Sequence, residues 1–396
     1  MTNMKILFYQ RTDVVNSTGG TEKVLCFLSS ALAENGYEVV FMTNENKVGQ
    51  PFFKLSDKVK FINLGGTQFK GIKKFFFKLI KSTFLLKFLS FFNNYKYTSD
   101  VVYQNITKEN PDIIILANPQ DLVELCYSHN YKAPIIQMIH NVPWNIFHRK
   151  SKTISKITIS LMKNVVVCQV LMNSFVELMK PYYSGKVVVI PNSIPSVADD
   201  FICNYNNNDR EHIIIDIARI TPIKNQELLI KAFAKIHDKY PNWKVNLWGN
   251  ADKKYKEKLN NLINELGLQD KVIFKGTTKN SFNELQKADI FAFPSLFEGF
   301  GLALGEAMAV GLPSIGLKTA PAVNELIVDG ENGILVENTE EDFAKNLEKL
   351  ILDSELRKKI GLKAKEMIKN YSEEKVVNMW DELIKKTTNN ADFNFK

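Results

Sequence analysis

Cysteine is scarce in this chain. The 396 residues hold four, Cys26, Cys126, Cys168 and Cys203, widely spaced and without a C-x-x-C pair. So few and so scattered, they do not read as a disulfide framework, and three of the four sit in or beside apolar runs, as expected of buried free thiols in a reducing compartment. A signal peptide is missing too: MTNMKILFYQRTD opens on an apolar run of strand length, so a cytoplasmic protein is expected. No membrane span is expected from the aromatic segment 69–92, because Lys81 and Lys87 interrupt every 18-residue apolar window in it. Internal repeats are absent, and low complexity is confined to one asparagine-rich stretch near residue 206.

The composition, 45% hydrophobic and 24% charged, is that of an ordinary soluble globular protein. The length exceeds what one core usually spans and points to two domains of about 150–200 residues. A net charge of +8 suits nucleic acid, an anionic membrane surface or phosphorylated ligands. Its distribution is informative. Lys70, Lys73, Lys74, Lys78 and Lys81 fall within one arc of a helix at about 100° per residue, with Phe69, Phe75, Phe76, Leu79 and Ile80 opposite. Such a helix either lies in a membrane interface or packs its Phe face on the domain core. Nucleic acid is not expected, because no recognition module accompanies the lysines.

Strand-length β-branched runs alternate with helical patterns. They occupy 5–10, 38–43, 59–64, 112–118, 134–140, 165–170 and 186–192, and then 212–219, 243–249, 271–276, 290–295, 313–317 and 333–336. Near-continuous runs such as IIIL and VVVI predict strands buried on both faces, hence two α/β domains with doubly wound parallel sheets. A polar connector at 194–209 separates the two series, and 373–386 reads as an amphipathic helix with Trp380 on its apolar side. In such sheets ligands bind beyond the carboxyl ends of the strands.

Four constellations fall there. Asn16-Ser-Thr-Gly-Gly-Thr-Glu22 follows the first strand, and Gly19 and Gly20 allow close approach to a ligand at a helix start, or simply form a tight turn. Arg219 and Lys224 follow the strand 212–219; they converge on a diphosphate or are ordinary surface charges. His140 ends another apolar strand, in a structural or a catalytic role. Finally, Glu298 precedes the turn Gly299-Phe300-Gly301, and Glu306 lies on the helix behind it among Ala303, Leu304, Ala307 and Met308. Two carboxylates can form an acid/base pair, bind the vicinal hydroxyls of one extended ligand, or mark a charged helix face. The glycine turn meanwhile offers backbone N–H groups.

Together, Arg219 and Lys224, Phe293-Pro-Ser-Leu-Phe-Glu-Gly-Phe-Gly-Leu302, Glu306-Ala-Met-Ala-Val-Gly-Leu-Pro313 and Glu325-Leu-Ile-Val-Asp-Gly-Glu-Asn-Gly-Ile-Leu-Val336 resemble the family-4 retaining glycosyltransferases. The E-x7-E spacing carries the likeness over the second half; the first half matches more loosely. The resemblance implies a GT-B fold, two Rossmann-like domains facing a cleft: an acceptor domain at 1–195, a nucleotide-sugar domain at 196–371, and a helix from 372 to 396 crossing back. It implies transfer of a hexose from a nucleotide-diphosphate sugar, UDP-sugar on family frequency, to a glycan or lipid-linked acceptor in cell-envelope polysaccharide synthesis.

By the same resemblance Glu306 binds the ribose hydroxyls. Glu298 binds the donor sugar with backbone contacts from Gly299, Phe300, Gly301 and Leu302. Arg219 and Lys224 neutralise the departing diphosphate, His140 lies near the reaction centre, and Gly19 and Gly20 line the cleft. The chain has no D-x-D motif, so no metal or other cofactor is expected and cationic side chains with a helix N-terminus are left to stabilise the leaving group. Retention without an evident nucleophile implies front-face attack. A peripheral position on the inner face of the cytoplasmic membrane follows if the lysine segment binds lipid. A GT-B nucleotide-sugar epimerase and a non-enzymatic basic binding module are the alternatives. Three positions depart from the family pattern: Asn225 replaces a common glycine, Gly249-Asn-Ala-Asp252 stands for a G-x-G loop, and Thr319-Ala-Pro-Ala322 replaces a glycine pair.

Overall fold

The computed structural model describes residues 4–11, 14–17, 19–66, 84–148, 152–198, 202–203, 205 and 211–389. Lys70, Lys73, Lys74, Lys78 and Lys81 lie outside them. The chain divides into two compact units, Met1–Pro191 with Val376–Lys396, and Asn192–Lys375.

The first unit is built on seven parallel strands: β1 (Lys5–Gln10), β2 (Glu38–Thr43), β3 (Val59–Asn63), β4 (Ile113–Leu116), β5 (Ile135–Ile139), β6 (Val167–Val170) and β7 (Lys186–Val189), in the order β3-β2-β1-β4-β5-β6-β7. Every residue of β4 (IIIL) and β5 (IIQMI) is buried, as expected where helices cover both faces of a parallel sheet. The crossover helix Gly20–Glu34 seals one face with Leu25, Cys26, Leu28 and Leu32. Strand order reverses between β1 and β4, so the loops after these strands diverge and leave a crevice at their carboxyl ends.

This unit is completed from the far end of the chain. Val376, Val377, Trp380, Leu383 and Ile384, on the helix Glu373–Thr388, share one core cluster with Leu28, Leu32, Val39 and Ile190. Tyr37 donates a hydrogen bond to Asp381 Oδ1 at 2.6 Å and fixes the helix's register.

The second unit holds six parallel strands, β8 (His212–Ile217), β9 (Trp243–Trp248), β10 (Val272–Gly276), β11 (Ile290–Phe293), β12 (Ser314–Leu317) and β13 (Ile334–Val336), in the order β10-β9-β8-β11-β12-β13. Here the reversal falls between β8 and β11, the strands that lead into Arg219 and into Glu298. The described part of the polar connector belongs to this unit. Ile194 bridges to Ser372, Tyr205 donates to the Gly311 carbonyl at 2.5 Å, and the Cys203 thiol donates to that of Val310. All four cysteines are free and buried.

Trp380 is 2% exposed and among the largest buried side chains of the described residues. Trp380→Ala is expected to destabilise the first unit by about 3–5 kcal/mol, read as a lower urea midpoint by far-UV circular dichroism.

Candidate active site

The second unit gathers the larger group of polar side chains. The loop after β8 runs through a short 3-10 turn, Pro222–Lys224, into the helix Gln226–Ala234. The loop after β11 carries Glu298. The two are joined through the backbone, Leu296 N–H to the Ile223 carbonyl at 2.9 Å, and through an ion pair, Lys224 Nζ to Glu298 Oε1 at 2.5 Å. Both side chains are about nine-tenths buried (13% and 10% exposed), and the Lys224 ammonium also lies 5.9 Å from the centre of the Phe293 ring. A pair this sheltered is poorly screened by salt and holds both loops in register. Arg219 is exposed at the start of the same turn.

Beyond Glu298, Gly299 and Phe300 are buried, and the Phe300 ring packs edge-on against Tyr371 with centroids 5.4 Å apart. Gly301 takes a left-handed conformation, φ 87° and ψ 55°, which a β-carbon would strain. The chain can therefore turn directly into the helix Leu302–Ala309, whose first N–H groups have no side-chain cap; a helix start of this kind favours an anion. Glu306 is 5% exposed and accepts a hydrogen bond from Ser281 Oγ at 2.6 Å. Its burial removes the reading of a solvated, charged helix face. The two glutamates therefore engage different partners, Glu298 the lysine of the β8 loop and Glu306 the serine that opens the helix Ser281–Gln286.

In the first unit, Gly19 precedes the helix Gly20–Glu34, and a β-carbon there would lie 1.9 Å from Glu22 Oε2. Glu22 is itself held by Gln10 Nε2 at 3.1 Å, so the glycine makes room for a folded-back carboxylate. His140 directly follows β5. Both ring nitrogens are buried with no hydrogen-bond partner among the described residues, and burial pushes the imidazole down to about 4. The ring is therefore neutral at pH 7.

Several residues at these strand ends escaped the sequence reading. Arg11 follows β1 and pairs with Glu124 Oε1 at 2.8 Å. Tyr9 donates to Glu124 Oε2 at 2.5 Å, and Asp121 accepts from the Arg11 and Asn118 N–H groups. Burial, reinforced by Glu124, pushes the Asp121 carboxyl up to about 7. An arginine just past a strand end was the available signal, as at Arg219. Asp216, buried within β8, was signalled by a charge inside the run IIIDI. Ser281 had no signal, since its role depends on the neighbouring helix. Among the described residues no group of three or more His, Cys, Asp or Glu is placed to hold a metal ion, and no helix is long and apolar enough to cross a membrane.

Residues 198–367 match the family described as Glycosyl transferases group 1, and residues 18–196 match Glycosyltransferase Family 4. The chain belongs to the family-4 glycosyltransferases, and its two parallel-sheet α/β units are those of the GT-B fold. A relative from Haemophilus influenzae, named only as an uncharacterized glycosyltransferase, is 25% identical over 370 residues, 92% of this chain and 96% of its own. Further curated relatives are matched over half of their length or less. Among solved structures, sucrose-phosphate synthase of Thermosynechococcus elongatus superposes with TM-score 0.78 at 18% identity, over 98% of this chain and 100% of that one. S. aureus TarM, in a complex with Fondaparinux, alpha-GlcNAc-glycerol and UDP, gives TM-score 0.73 at 18% identity over 96% and 99%.

Two of the three departures from the family pattern fall at residues of unusual backbone conformation. Asn225 is left-handed, φ 54° and ψ 33°, where asparagine is the best-tolerated residue after glycine. Ala322 holds φ 67° and ψ −41°, a position where glycine would be unstrained. Asn225→Ala is expected to cost about 1 kcal/mol, while Asn225→Gly stays near parity because relief of strain is offset by chain entropy. Thermal melts of the two variants side by side check this.

Proposed function

We propose that the chain is a retaining, metal-independent hexosyltransferase that takes its sugar from a nucleotide diphosphate, UDP in the first instance, and passes it to a glycan or lipid-linked acceptor in cell-envelope polysaccharide synthesis. The observation that supports this best is the joining of Lys224, Glu298 and the uncapped start of the helix Leu302–Ala309 at the reversal point of the second sheet.

Cleavage of the anomeric C–O bond leaves a diphosphate whose negative charge grows towards the transition state. Donors already aimed at it lower the barrier because they need no reorganisation. Arg219 offers a planar fork, Lys224 a point charge and the helix start its N–H groups. Glu306 is suited to the ribose diol, exchanging its hydrogen bond from Ser281 for ones from hydroxyls. Glu298, beside Lys224, is suited to the sugar hydroxyls next to the diphosphate. His140, as a neutral ring, serves as a hydrogen-bond partner of the donor sugar and not as a proton source at pH 7. Front-face attack, with the leaving phosphate taking the acceptor's proton, accounts for retention without a protein nucleophile. The UDP of the TarM complex supports the choice of base.

A screen of UDP-, GDP- and ADP-sugars by thermal shift and hydrolysis tests the whole reading; a chain that responds to none of them is not this enzyme. Within it, Glu306→Ala is expected to raise the donor Kd about 10- to 100-fold, the loss of charge-assisted hydrogen bonds. Glu298→Ala is expected to lower kcat by about 100-fold or more with a smaller change in Kd. Equal effects of both variants on Kd alone would rule out this division of roles.

The same reading puts the enzyme peripherally on the inner face of the cytoplasmic membrane, held by Lys70, Lys73, Lys74, Lys78 and Lys81. Flotation with vesicles containing anionic lipid is expected to carry the chain, and neutralising the five lysines to release it. Binding that ignores both lipid charge and the lysines would refute the assignment.

A further inference from the structure

Strand β8 reads His212-Ile-Ile-Ile-Asp-Ile217, with a carboxylate at the centre of a buried run. Asp216 is fully buried, and so is Gln226, at the first position of the helix Gln226–Ala234. Gln226 Nε2 donates two hydrogen bonds, one to Asp216 Oδ2 at 3.0 Å and one to the carbonyl of Arg219 at 3.2 Å. The segment from Arg219 to Asn225 is thereby held at three points: its start by Gln226, its middle by the Leu296 N–H to the Ile223 carbonyl, and Lys224 by Glu298.

We propose that Asp216 and Gln226 are positioning residues for the donor diphosphate. Asp216 orients the Gln226 amide, and the amide holds the Arg219 carbonyl, so that Arg219 and Lys224 converge on one anion. The inference rests on the reading of Arg219 and Lys224 as the diphosphate arm.

Asp216 does this as the neutral acid. Its Oδ1 is buried without a hydrogen-bond partner among the described residues, an expensive place for a charge. Burial pushes the carboxyl up to about 7; Gln226 and Lys224 oppose the rise and Glu298 adds to it. The titratable groups facing Asp216 are Lys224 and Glu298 from the two loops and Tyr255 from the helix Lys253–Glu265, whose hydroxyl is raised by burial and in part by Asp216 itself. Once ionised, Asp216 competes with Glu298 and with the diphosphate for the single Lys224 ammonium. Donor affinity then falls as pH rises through about 7.

The sign for stability follows from the same shift. The folded state keeps the Asp216 proton from its ordinary value of 3.8 up to about 7, so the unfolded state binds fewer protons in that window and stability declines as pH rises through it. An asparagine at this position removes that decline.

The test is UDP binding by calorimetry and melting temperature for the wild type, Asp216→Asn, Asp216→Leu and Gln226→Leu between pH 5 and 8.5. Gln226→Leu and Asp216→Leu are expected to bind UDP about tenfold more weakly, with a smaller loss for UMP, which has no diphosphate. Asp216→Asn keeps an acceptor for Gln226; it should recover most of that loss and lack the alkaline decline of the wild type. Its melting temperature should gain on the wild type from pH 5 to pH 8. Should Gln226→Leu fail to fold, the pH profile of Asp216→Asn decides alone. Undiminished UDP affinity in folded Gln226→Leu, or an alkaline decline in Asp216→Asn equal to that of the wild type, overturns the inference. A wild-type chain that binds neither UDP, GDP nor ADP overturns the reading of the site itself, and the inference with it.

Discussion

The Lys224–Glu298 pair joins two loops that the sheet would otherwise send apart. At the reversal between β8 and β11 the connections leave on opposite faces, so the residues just past the two strands have no helix in common to hold them. A buried ion pair, with its desolvation cost partly offset by geometry and by the Phe293 ring, is a poor source of net stability. Its value is registration. With Lys224 on Glu298 and the Ile223 carbonyl on the Leu296 N–H, a cation from one crossover and a carboxylate from the next are brought together by the protein's own contacts. Such preorganisation is what electrostatic catalysis requires, since charges already in position need not be ordered as the reaction proceeds.

The first unit meets the same topological problem with other residues. Arg11 past β1 and Glu124 beyond β4 flank its own reversal, again as a cation and a carboxylate contributed by two crossovers. Tyr9 and Asn44 complete the Glu124 oxygens, and burial together with Glu124 raises the Asp121 carboxyl against the opposing pull of Arg11 and two backbone N–H groups. Each unit thus pairs a cation from the loop on one side of its reversal with a carboxylate from the other side, Arg11 with Glu124 and Lys224 with Glu298, although no sequence repeat relates them. A strand end beside a diverging neighbour is where a long cationic side chain can reach a partner without crossing the core.

Much of this was legible in the sequence, and the reasons are local. Strands such as β4 and β5 carry apolar β-branched runs because both faces are covered, so each announces itself without reference to the rest of the chain. Glu306 was legible for a related reason, as a carboxylate among Ala303, Leu304, Ala307 and Met308 that a solvated face would not tolerate. Contacts made across the sheet were not. That Glu298 meets Lys224 while Glu306 meets Ser281 depends on which crossover lies beside which, and spacing along the chain cannot distinguish that from an acid/base pair. The connector is a further case: its polar, asparagine-rich composition gives no sign that Cys203 and Tyr205 tie it to the carbonyls of Val310 and Gly311. Single side chains of this kind leave no periodic trace.

The positions that depart from the family pattern bear on how strictly the site constrains its backbone. Asn225 and Ala322 both hold positive φ, one directly after Lys224 and the other directly before the helix Val323–Leu326 that contains Glu325. A loop free to relax would adopt ordinary dihedrals at a non-glycine residue, because nothing else in a loop demands positive φ. Here the conformation persists in residues that disfavour it, by roughly 1–3 kcal/mol for an alanine. The surrounding hydrogen bonds must therefore over-determine it: Asn225 sits between the Pro222 carbonyl and the Leu228 N–H, and Ala322 accepts from Glu325 and Leu326. The loops at the carboxyl ends of the second sheet are thus held more firmly than their composition suggests, and the side chains they carry, Lys224 above all, inherit that rigidity.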